Sequence, residues 1–392
     1  MNNDVVLAGA VRTMIGTLNG ALAEIPATVL GSAVIRAALE RSGVPPSAVD
    51  EVTMGNVLTA GLGQNPARQA AIGAGLAPTV GATTVGKVCG SGLKAIMLAA
   101  QAVRCGDASV IAAGGMENMS RAPYLIEKAR RGYRLGHGEL IDSILRDGLS
   151  DAYTGTPMGR CGDRCAEKYQ FTRGQQDDFA VESYQRARRA IDGGIFEKEI
   201  VAVSVPGEKD AVKLTVDEQP KRFNEEKLRQ LRPAFGKDGT ITAGNASGIN
   251  DGAAATMVLS AAKAQALGIK PVARVLGYCA AAREPEWFTL APIDAMTRLL
   301  RQLALKVSDI DLFEINEAFA VVVMAAMKEL EIPREKVNVH GGAVALGHPI
   351  GASGARTLTT LLHAMAQHGG KIGMTSLCIG GGEAVAMAVE LL

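Results

Sequence analysis

Two stretches of the chain, one in each half, look like copies of one another. Ser47–Asn56 resembles Ser308–Glu317, and each is followed at a distance by a strand-like run that ends in a cysteine and glycines, at Cys89 and at Cys378. Self-similarity of this kind indicates an internal duplication. It predicts two α/β halves whose cysteines arrive at equivalent strand-to-helix turns, with a chance match of short patterns as the alternative.

Short runs rich in β-branched residues alternate with longer alanine-rich stretches along both halves. This alternation predicts an α/β fold in which helices are layered against buried parallel strands. Aromatic residues make up only 4% of the chain and glycine is abundant, with 46 residues, so we expect a core of small aliphatic side chains with close backbone approaches at glycine. The predicted strands are Asp4–Ala8, Glu51–Met54, Val110–Ala113, Asp311–Ile315 and Gly373–Leu377, and the predicted helices are Thr28–Ser42, Gly92–Cys105, Ala318–Leu330 and Gly354–His368.

The amino-acid composition changes between the two halves. From about residue 120 to residue 248 the chain has charge-dense stretches and more Tyr and Phe than elsewhere. A structureless segment of this length is improbable inside a compact protein, so we expect an inserted subdomain at 120–248. The first half then comprises residues 1–119, completed by about 249–270, and the second half comprises residues 271–392.

Charge, hydropathy and cysteine usage argue against several classes of protein. The formal net charge of +1 gives no global electrostatic footprint for nucleic acid or for an anionic membrane. No apolar stretch approaches the ~18 residues of a membrane span and no secretory signal is evident, so we expect a cytoplasmic protein, with a processed organellar form as the alternative. The six cysteines should be free thiols. Cys161 and Cys165 lack a second ligand pair, so no metal site is predicted there.

Cys89 precedes a small-residue run, Gly90, Ser91 and Gly92, at the start of a predicted helix. The helix dipole favours an anion at that place, so we expect a lowered pKa for this thiol and a larger thiolate fraction. The glycines let a substrate carbonyl approach backbone N–H groups. A buried structural cysteine is the alternative.

His348 stands between Gly347 and Pro349 in a glycine-rich loop that precedes another predicted helix. The loop lacks the lysine and the glycine spacing of the common phosphate-binding loops. A histidine in a rigid turn is well placed as a general base or as the partner of a thiolate. A turn histidine satisfied by backbone groups is the alternative.

Cys378 and Asn316 complete the set of candidate catalytic residues. Cys378 comes shortly before Gly380–Gly382, whose N–H groups suit a second thiolate or a developing oxyanion. Asn316 lies where a predicted strand gives way to a helix. It either caps that helix or positions a water or a carbonyl oxygen.

These motifs are specific when they are taken in their order along the chain. Cys-Gly-Ser-Gly at 89–92, Asn-Glu-Ala-Phe at 316–319, Gly-His-Pro-Ile-Gly-Ala-Ser-Gly-Ala-Arg at 347–356 and Cys-Ile-Gly-Gly-Gly at 378–382 together resemble the thiolase family. Further matches at 61–70, 114–120, 231–235 and 242–252 extend the likeness over essentially the whole chain. The resemblance implies the thiolase fold: two duplicated α/β halves that form a layered αβαβα core, with an inserted loop subdomain that binds coenzyme A.

The resemblance also implies a role for each catalytic position. In thiolases a cysteine, here Cys89, takes an acyl group from an acyl-CoA thioester after activation by a histidine, here His348. A second cysteine, here Cys378, removes the α-proton of a second acyl-CoA. The family stabilises the enolate oxygen with the histidine and a water held by an asparagine, here Asn316. Another oxyanion is stabilised by backbone N–H groups that correspond to Cys89 and Gly380.

Contacts with coenzyme A are implied mainly for the inserted subdomain. Ser247 corresponds to the pantetheine-contacting serine of the family, and Ala234, Phe235 and Ala243 line the same path. Lys221 or Arg222 corresponds to a phosphate-contacting basic residue, with a solvated surface charge as the alternative. The other positions that we expect to contact the thioester or coenzyme A are Met158, Phe288, Ala318 and Phe319.

Two places depart from the common family pattern. Many members have His-Met beside the thioester, whereas this chain has Pro157 before Met158, which leaves the contacts there open. Around Phe288 the chain is more similar to acetoacetyl-CoA thiolases of mitochondrial type, some of which bind potassium near a tyrosine similar in context to Tyr184. A potassium ion near Tyr184 is therefore a hypothesis, and no other cofactor is expected.

The activity that the resemblance implies is acetyl-CoA C-acetyltransferase, the reversible ping-pong condensation of two acetyl-CoA to acetoacetyl-CoA and CoA. The alternatives are a degradative 3-ketoacyl-CoA thiolase of broader chain length, a decarboxylating condensing enzyme, and a catalytically inactive lipid-binding relative. Cys378 in its glycine context argues against the decarboxylating enzymes. Because the family forms dimers or tetramers, we expect a homo-oligomer.

Overall fold

The computed structural model describes residues 4–205 and 210–392, so residues 206–209 of the predicted insertion lie outside the described residues. The strands are β1 (Val5–Thr13), β2 (Gly16–Thr17), β3 (Glu51–Gly55), β4 (Gly81–Val85), β5 (Val110–Asn118), β6 (Tyr124–Leu125), β7 (Ile141–Asp142), β8 (Ile200–Val201), β9 (Val203–Val205), β10 (Val212–Leu214), β11 (Asn250–Ser260), β12 (Ala273–Ala282), β13 (Leu312–Ile315), β14 (Ile372–Ile379) and β15 (Glu383–Leu391). The α-helices are α1 (Ala27–Ser42), α2 (Pro66–Gly73), α3 (Ser91–Cys105), α4 (Met158–Tyr169), α5 (Arg173–Asp192), α6 (Glu225–Gln230), α7 (Ala261–Ala266), α8 (Ala291–Leu303), α9 (Ala320–Leu330), α10 (Ala343–Leu346) and α11 (Ser353–His368).

The main sheet runs β13-β14-β15-β12-β1-β11-β5-β3-β4, with β2 beside β11 and β8 beside β1. Its two halves are joined narrowly, since β1 and β12 pair only at Val6–Arg274 and Leu7–Ala273. Helices α3 and α11 pack against each other and against strands of both halves. Helices α1 and α2 contact the first half, and α8 and α9 lie against the second, away from α3 and α11. The expected layered αβαβα core is therefore confirmed.

The duplication is visible in the strand order. The order β3-β5-β11-β1 in the first half repeats as β13-β14-β15-β12 in the second, with a parallel pair followed by antiparallel pairs in both. The aspartates of the repeat also accept equivalent hydrogen bonds. Asp50 accepts the N–H groups of Ser109 and Val110, and Asp311 accepts those of Lys371 and Ile372, so each carboxylate ties one strand to the start of the next.

Two expectations about the halves were wrong. The sheet is mixed rather than parallel, because β11, β12 and β15 run antiparallel to their neighbours, as β1 does to β11 and β12. A buried strand has the same apolar pattern in either direction. The cysteines do not occupy equivalent turns. Cys89 lies between β4 and α3, whereas Cys378 lies in β14, before a hairpin to β15 rather than before a helix. Gly381 and Gly382, at φ 90° and 91°, make that hairpin turn.

The chain between β5 and β11 carries the short strands β6–β10 and the helices α4–α6. Arg12 of β1 anchors this segment to the core through ion pairs with Glu199 and with Asp217, the latter at 2.8 Å, and all three side chains are at most 1% exposed. Such a buried triad fixes the segment only while every charge keeps its partner. None of the helices in the described part of the chain has the length and apolar character needed to cross a membrane.

Candidate active site

Cys89 sits in a single 3₁₀ turn, Val88–Gly90, directly before α3. Val88 adopts φ 42°, a left-handed conformation that a β-branched residue rarely takes, at a cost on the order of 1–3 kcal/mol. Ser91 holds the turn in this conformation. Its hydroxyl accepts the N–H of Lys87 and donates to the carbonyl of Val88, each at 2.7 Å. The half-buried thiol of Cys89 therefore lies in a strained turn that the hydrogen bonds of Ser91 hold in place.

Glycines bring the Cys89 turn against the loop that carries His348. A Cβ at Gly92 would lie 2.8 Å from the backbone nitrogen of Ala355, and one at Gly354 would lie 2.3 Å from that of Leu93. The N-terminal ends of α3 and α11 can therefore approach this closely only without side chains. On the same side, Ile350 and Cys89 belong to one small apolar cluster. The motifs containing Cys89 and His348 are neighbours in space.

The hydrogen bonds of His348 define which nitrogen carries its proton. Nδ1 lies 2.5 Å from Oγ of Ser353, and that hydroxyl lies 2.9 Å from the carbonyl of Pro349. Since a carbonyl can only accept, Ser353 donates to Pro349 and accepts from Nδ1–H of His348. Nε2 is then unprotonated in the neutral ring. The ring bonds to side chains, so the alternative of a histidine satisfied by backbone groups is not supported.

Burial keeps His348 neutral. The side chain is only 5% exposed, and burial together with the positive charge of Arg356 lowers its pKa to about 3. The backbone N–H of His348 donates to Oδ1 of Asn250 at 2.9 Å, which fixes the loop on β11. A neutral imidazole with an unprotonated Nε2 is suited to accept a proton.

Asn316 follows β13 and lies beside His348. Its Nδ2 is 3.5 Å from Nε2 of His348, and its backbone N–H donates to the carbonyl of Ser376 at 3.0 Å. It does not cap α9, which begins at Ala320 with no side-chain cap, two residues later than predicted. The delay arises because the N–H of Ala318 turns back to the carbonyl of Asn316. Of the two interpretations, the structure favours a positioning role.

Cys378 and Gly380 face Cys89 from the β14–β15 hairpin. Burial, and then the neighbouring Cys89, raise the pKa of Cys378 well above its usual value, so the two sulfurs are close enough to interact. The N–H groups of Gly380 and of Cys89 itself are directed at the Cys89 sulfur. Two thiols and two convergent backbone donors therefore share one site.

The expected lowering of the Cys89 pKa was wrong. Burial raises the pKa of this thiol to about 11, against the opposing effect of the N–H groups of Gly380 and Cys89, and the Glu117 carboxylate raises it further. Desolvation of a thiolate outweighs the field of the helix N-terminus here. The resting pair is consequently a neutral thiol and a neutral imidazole, and ionisation of Cys89 has to accompany the reaction.

A wall of apolar residues leads away from the sulfurs. The rings of Phe235 and Phe288 each meet Phe319 edge-on, with centroids 6.3 Å apart. The N–H of Ser247 donates to the carbonyl of Ala318 at 2.9 Å. Met158 flanks Gly380, since a Cβ there would meet its Cε at 3.5 Å. The structure thus places these predicted contacts along one path.

Of the remaining residues predicted to contact coenzyme A, some line a groove and others do not. Arg222 and Ala243 line a groove of about 190 Å³ together with Lys227 and Leu231, which the sequence analysis missed. Lys221 and Arg222 are both exposed, but only Arg222 lines the groove, which favours Arg222 as the basic contact. Ala234 is exposed. A larger cavity of about 840 Å³ lies between α4 and residues 236–240, and no catalytic candidate lines it.

Other residues around the site also escaped the sequence analysis. Ser353 and Asn250 orient His348, although both lie within motifs that carry the family resemblance. Glu117 accepts N–H groups from Val57, Leu58 and Gly351 and from the side chain of Asn56. It therefore ties the loop after β3 to the His348 loop, and burial raises its pKa to about 7.

The potassium hypothesis concerns Tyr184, which is buried and stacks on Phe223. Nε2 of Gln219 donates both to the hydroxyl of Tyr184, at 2.9 Å, and to the carbonyl of Val344, at 2.7 Å. Two oxygens that a cation could use here are thus bonded to an amide. Among the described residues no group of three or more His, Cys, Asp or Glu could hold a metal ion. Potassium at this place stays a prediction.

Comparisons with known proteins agree over the full length of the chain. Residues 5–262 match the N-terminal domain of thiolase and residues 269–391 match its C-terminal domain. An acetyl-CoA acetyltransferase from Escherichia coli is 53% identical over 389 residues, which is 99% of each chain, and one from Schizosaccharomyces pombe is 50% identical over 392 residues, 100% of this chain and 99% of the other. Among solved structures, the Acat5 thiolase of Ascaris suum in complex with coenzyme A superposes with a TM-score of 0.94 at 46% identity, covering 99% of this chain and 100% of that one. The chain belongs to the thiolase family.

Proposed function

We propose that the protein is an acetyl-CoA C-acetyltransferase, which condenses two acetyl-CoA to acetoacetyl-CoA and CoA and catalyses the reverse thiolysis. The observation that carries the proposal is the pair of neighbouring thiols, Cys89 and Cys378, packed against the loop that presents the unprotonated Nε2 of His348. One sulfur alone would serve acyl transfer. A second, beside an oxyanion site, serves the formation of a carbon–carbon bond.

In the first half-reaction His348 takes the proton of Cys89 as its sulfur attacks the thioester carbonyl. The N–H groups of Cys89 and Gly380, which already point at this sulfur, stabilise the oxyanion of the tetrahedral intermediate. The C–S bond to coenzyme A breaks, and the imidazolium returns its proton to the departing thiolate. Acetyl-Cys89 and free CoA result. The low pKa of His348 favours this return of the proton.

In the second half-reaction Nε2 of the neutral His348 takes the proton of Cys378, and the Cys378 thiolate removes the α-proton of a second acetyl-CoA. The enolate oxygen accepts hydrogen bonds from Nε2–H of the protonated His348 and from Asn316, whose Nδ2 lies 3.5 Å from that nitrogen. The α-carbon attacks acetyl-Cys89, a carbon–carbon bond forms, and the Cys89 sulfur leaves as a thiolate that takes the proton of His348. The raised pKa of Cys378 makes its thiolate a strong base once formed.

The substrate is held along the wall formed by Met158, Phe235, Phe288 and Phe319. The three aromatic rings belong to the same apolar cluster as Cys378, and the relatives named acetyl-CoA acetyltransferase support the acetyl preference. Arg222 and Lys227 line the groove of about 190 Å³, and we propose that they supply positive charge for the phosphates of coenzyme A.

A comparison of acetoacetyl-CoA with longer 3-ketoacyl-CoA substrates tests this proposal. We expect thiolysis of acetoacetyl-CoA, followed by release of acetyl-CoA, to have the highest kcat/KM. Faster turnover of the long substrates would favour the degradative thiolase, and no turnover of any substrate would favour the inactive lipid-binding relative.

We also propose that the protein acts as a homo-oligomer. The segment around β6 and β7 exposes several large apolar side chains, including Leu135 at 99% and Leu140 at 69%, and a contact between subunits would cover them. Light scattering coupled to size-exclusion chromatography should give a dimer or tetramer mass, and a monomer mass would contradict this part of the proposal.

A further inference from the structure

Arg356 is a buried cation close to the catalytic residues. It lies one turn into α11, is 2% exposed, and extends towards the end of β13. Its Nη1 is 3.3 Å from Oε2 of Glu314 and its Nη2 is 3.4 Å from Oδ1 of Asn316. Burying a guanidinium is costly even with a paired carboxylate. An apolar residue could fill the same space without this cost, so we expect the buried charge to have a function.

The chemistry of the guanidinium fixes the orientation of its neighbour. Arginine has only donors, so the atom of the Asn316 carboxamide that faces it must be the oxygen. The amide nitrogen then faces the opposite way, towards Nε2 of His348 at 3.5 Å. The rotated amide would set N–H groups against N–H groups in a buried place, which is the least favourable arrangement.

The same direction continues through the histidine. Nδ2 of Asn316 donates towards Nε2 of His348, Nδ1–H of His348 donates to Ser353, and Ser353 donates to the carbonyl of Pro349. The series of hydrogen bonds begins at the guanidinium of Arg356, which can only donate, and ends at the carbonyl of Pro349, which can only accept. All the intervening protons are therefore assigned without ambiguity.

We propose that Arg356 is a positioning residue of the acyl-transfer reaction, which holds the Asn316 carboxamide so that its N–H groups face His348 and the reacting oxygen. The inference rests on the proposed function and deepens it. Of the two N–H groups on Nδ2, one is directed at Nε2 and the other is free for a water or for the enolate oxygen. The hydrogen bonds of Arg356 itself go to Glu314 and Asn316.

A double-mutant cycle tests whether Arg356 acts through Asn316. In thiolysis of acetoacetyl-CoA we expect Arg356→Met to lower kcat about 10- to 100-fold with KM within about twofold, because a hydrogen bond to a charged group is lost. In an Asn316→Ala background the same change should have no further effect. Thr357→Val is the matched control, since it removes a buried hydrogen bond one residue along α11 and should keep wild-type kinetics. If the double variant lost kcat by the product of the two single-variant factors, or if Arg356→Met had wild-type kinetics, the inference would be overturned.

A second measurement does not depend on activity. Two-bond ¹H–¹⁵N spectra of labelled histidine report which nitrogen of His348 is protonated, with His348→Gln for assignment. We expect an unprotonated Nε2 in the wild type at pH 7, more of the Nε2–H form in Arg356→Met, and the wild-type spectrum in Arg356→Lys, which keeps a donor-only cation. If Arg356→Met does not fold, Arg356→Gln replaces it, because its amide lets Asn316 rotate. Identical spectra in all variants would refute the positioning role, whereas an inactive wild type with the expected spectra would refute only the proposed function.

Discussion

Replacement of Ser353 by alanine isolates the hydrogen bond that sets the His348 tautomer. Ser353 is fully buried, and its hydroxyl lies 2.5 Å from Nδ1 of His348. In Ser353→Ala, Nδ1–H is left buried without a partner, which costs about 1–3 kcal/mol. The ring can avoid that cost by moving its proton to Nε2, where it cannot accept the proton of Cys89. At about 1.4 kcal/mol for each factor of ten, kcat/KM should fall about 5- to 150-fold.

The assay for Ser353→Ala is the release of CoA in the acetylation half-reaction, followed in single turnovers with acetyl-CoA. Ser353→Thr keeps the hydroxyl and should retain most of the activity, so it separates the lost hydrogen bond from a general disturbance of α11. Circular dichroism and thermal unfolding would establish that both variants fold. Acetylation of Ser353→Ala within about twofold of the wild-type rate would show that this hydrogen bond does not set the His348 tautomer.

Three further predictions concern stability, the nucleophile and the cation. Arg12→Met leaves Glu199 and Asp217 buried without a counter-charge, so the free energy of unfolding in urea should fall by about 3–5 kcal/mol, and a loss below about 1 kcal/mol would contradict the buried triad. Because the pKa of Cys89 is raised to about 11, alkylation of Cys89 by iodoacetamide should rise about tenfold for each pH unit from 7 to 9, whereas a plateau below pH 8 would indicate a lowered pKa. A potassium ion near Tyr184 would have to displace the Gln219 amide from the oxygens of Tyr184 and Val344; if it does, activity should be higher in potassium than in sodium, and equal activity in the two salts would argue against the cation.

The sequence was informative about the fold where the pattern repeats. Every predicted strand and helix corresponds to an element of the structure, and the aspartates of the repeat, Asp50 and Asp311, make the same hydrogen bonds. Strand direction could not be predicted, because a strand buried on both faces has one apolar run whether its neighbours are parallel or antiparallel. The same limit explains the misplacement of Cys378: a cysteine followed by glycines fits both a strand-to-helix turn and a β-hairpin.

In the site, the residues that lie in glycine-rich or polar turns could be predicted, because core packing seldom requires a residue such as Cys89, His348 or Asn316 in a turn. The residues that support them could not. Ser353 and Arg356 lie on α11 among small side chains, where periodicity predicts only a helix. The pKa of Cys89 was predicted in the wrong direction because burial, the larger effect, depends on packing that is distant in sequence.

Intact-mass analysis after mixing with acetyl-CoA tests the roles of the two cysteines. We expect one added acetyl group, mapped to Cys89 by peptide digestion and missing from Cys89→Ser. We also expect Cys378→Ser to be acetylated at Cys89 but to form no acetoacetyl-CoA, because only the second half-reaction needs the Cys378 thiol. An acetyl group on any other residue, or normal condensation by Cys378→Ser, would contradict the roles assigned to the two cysteines.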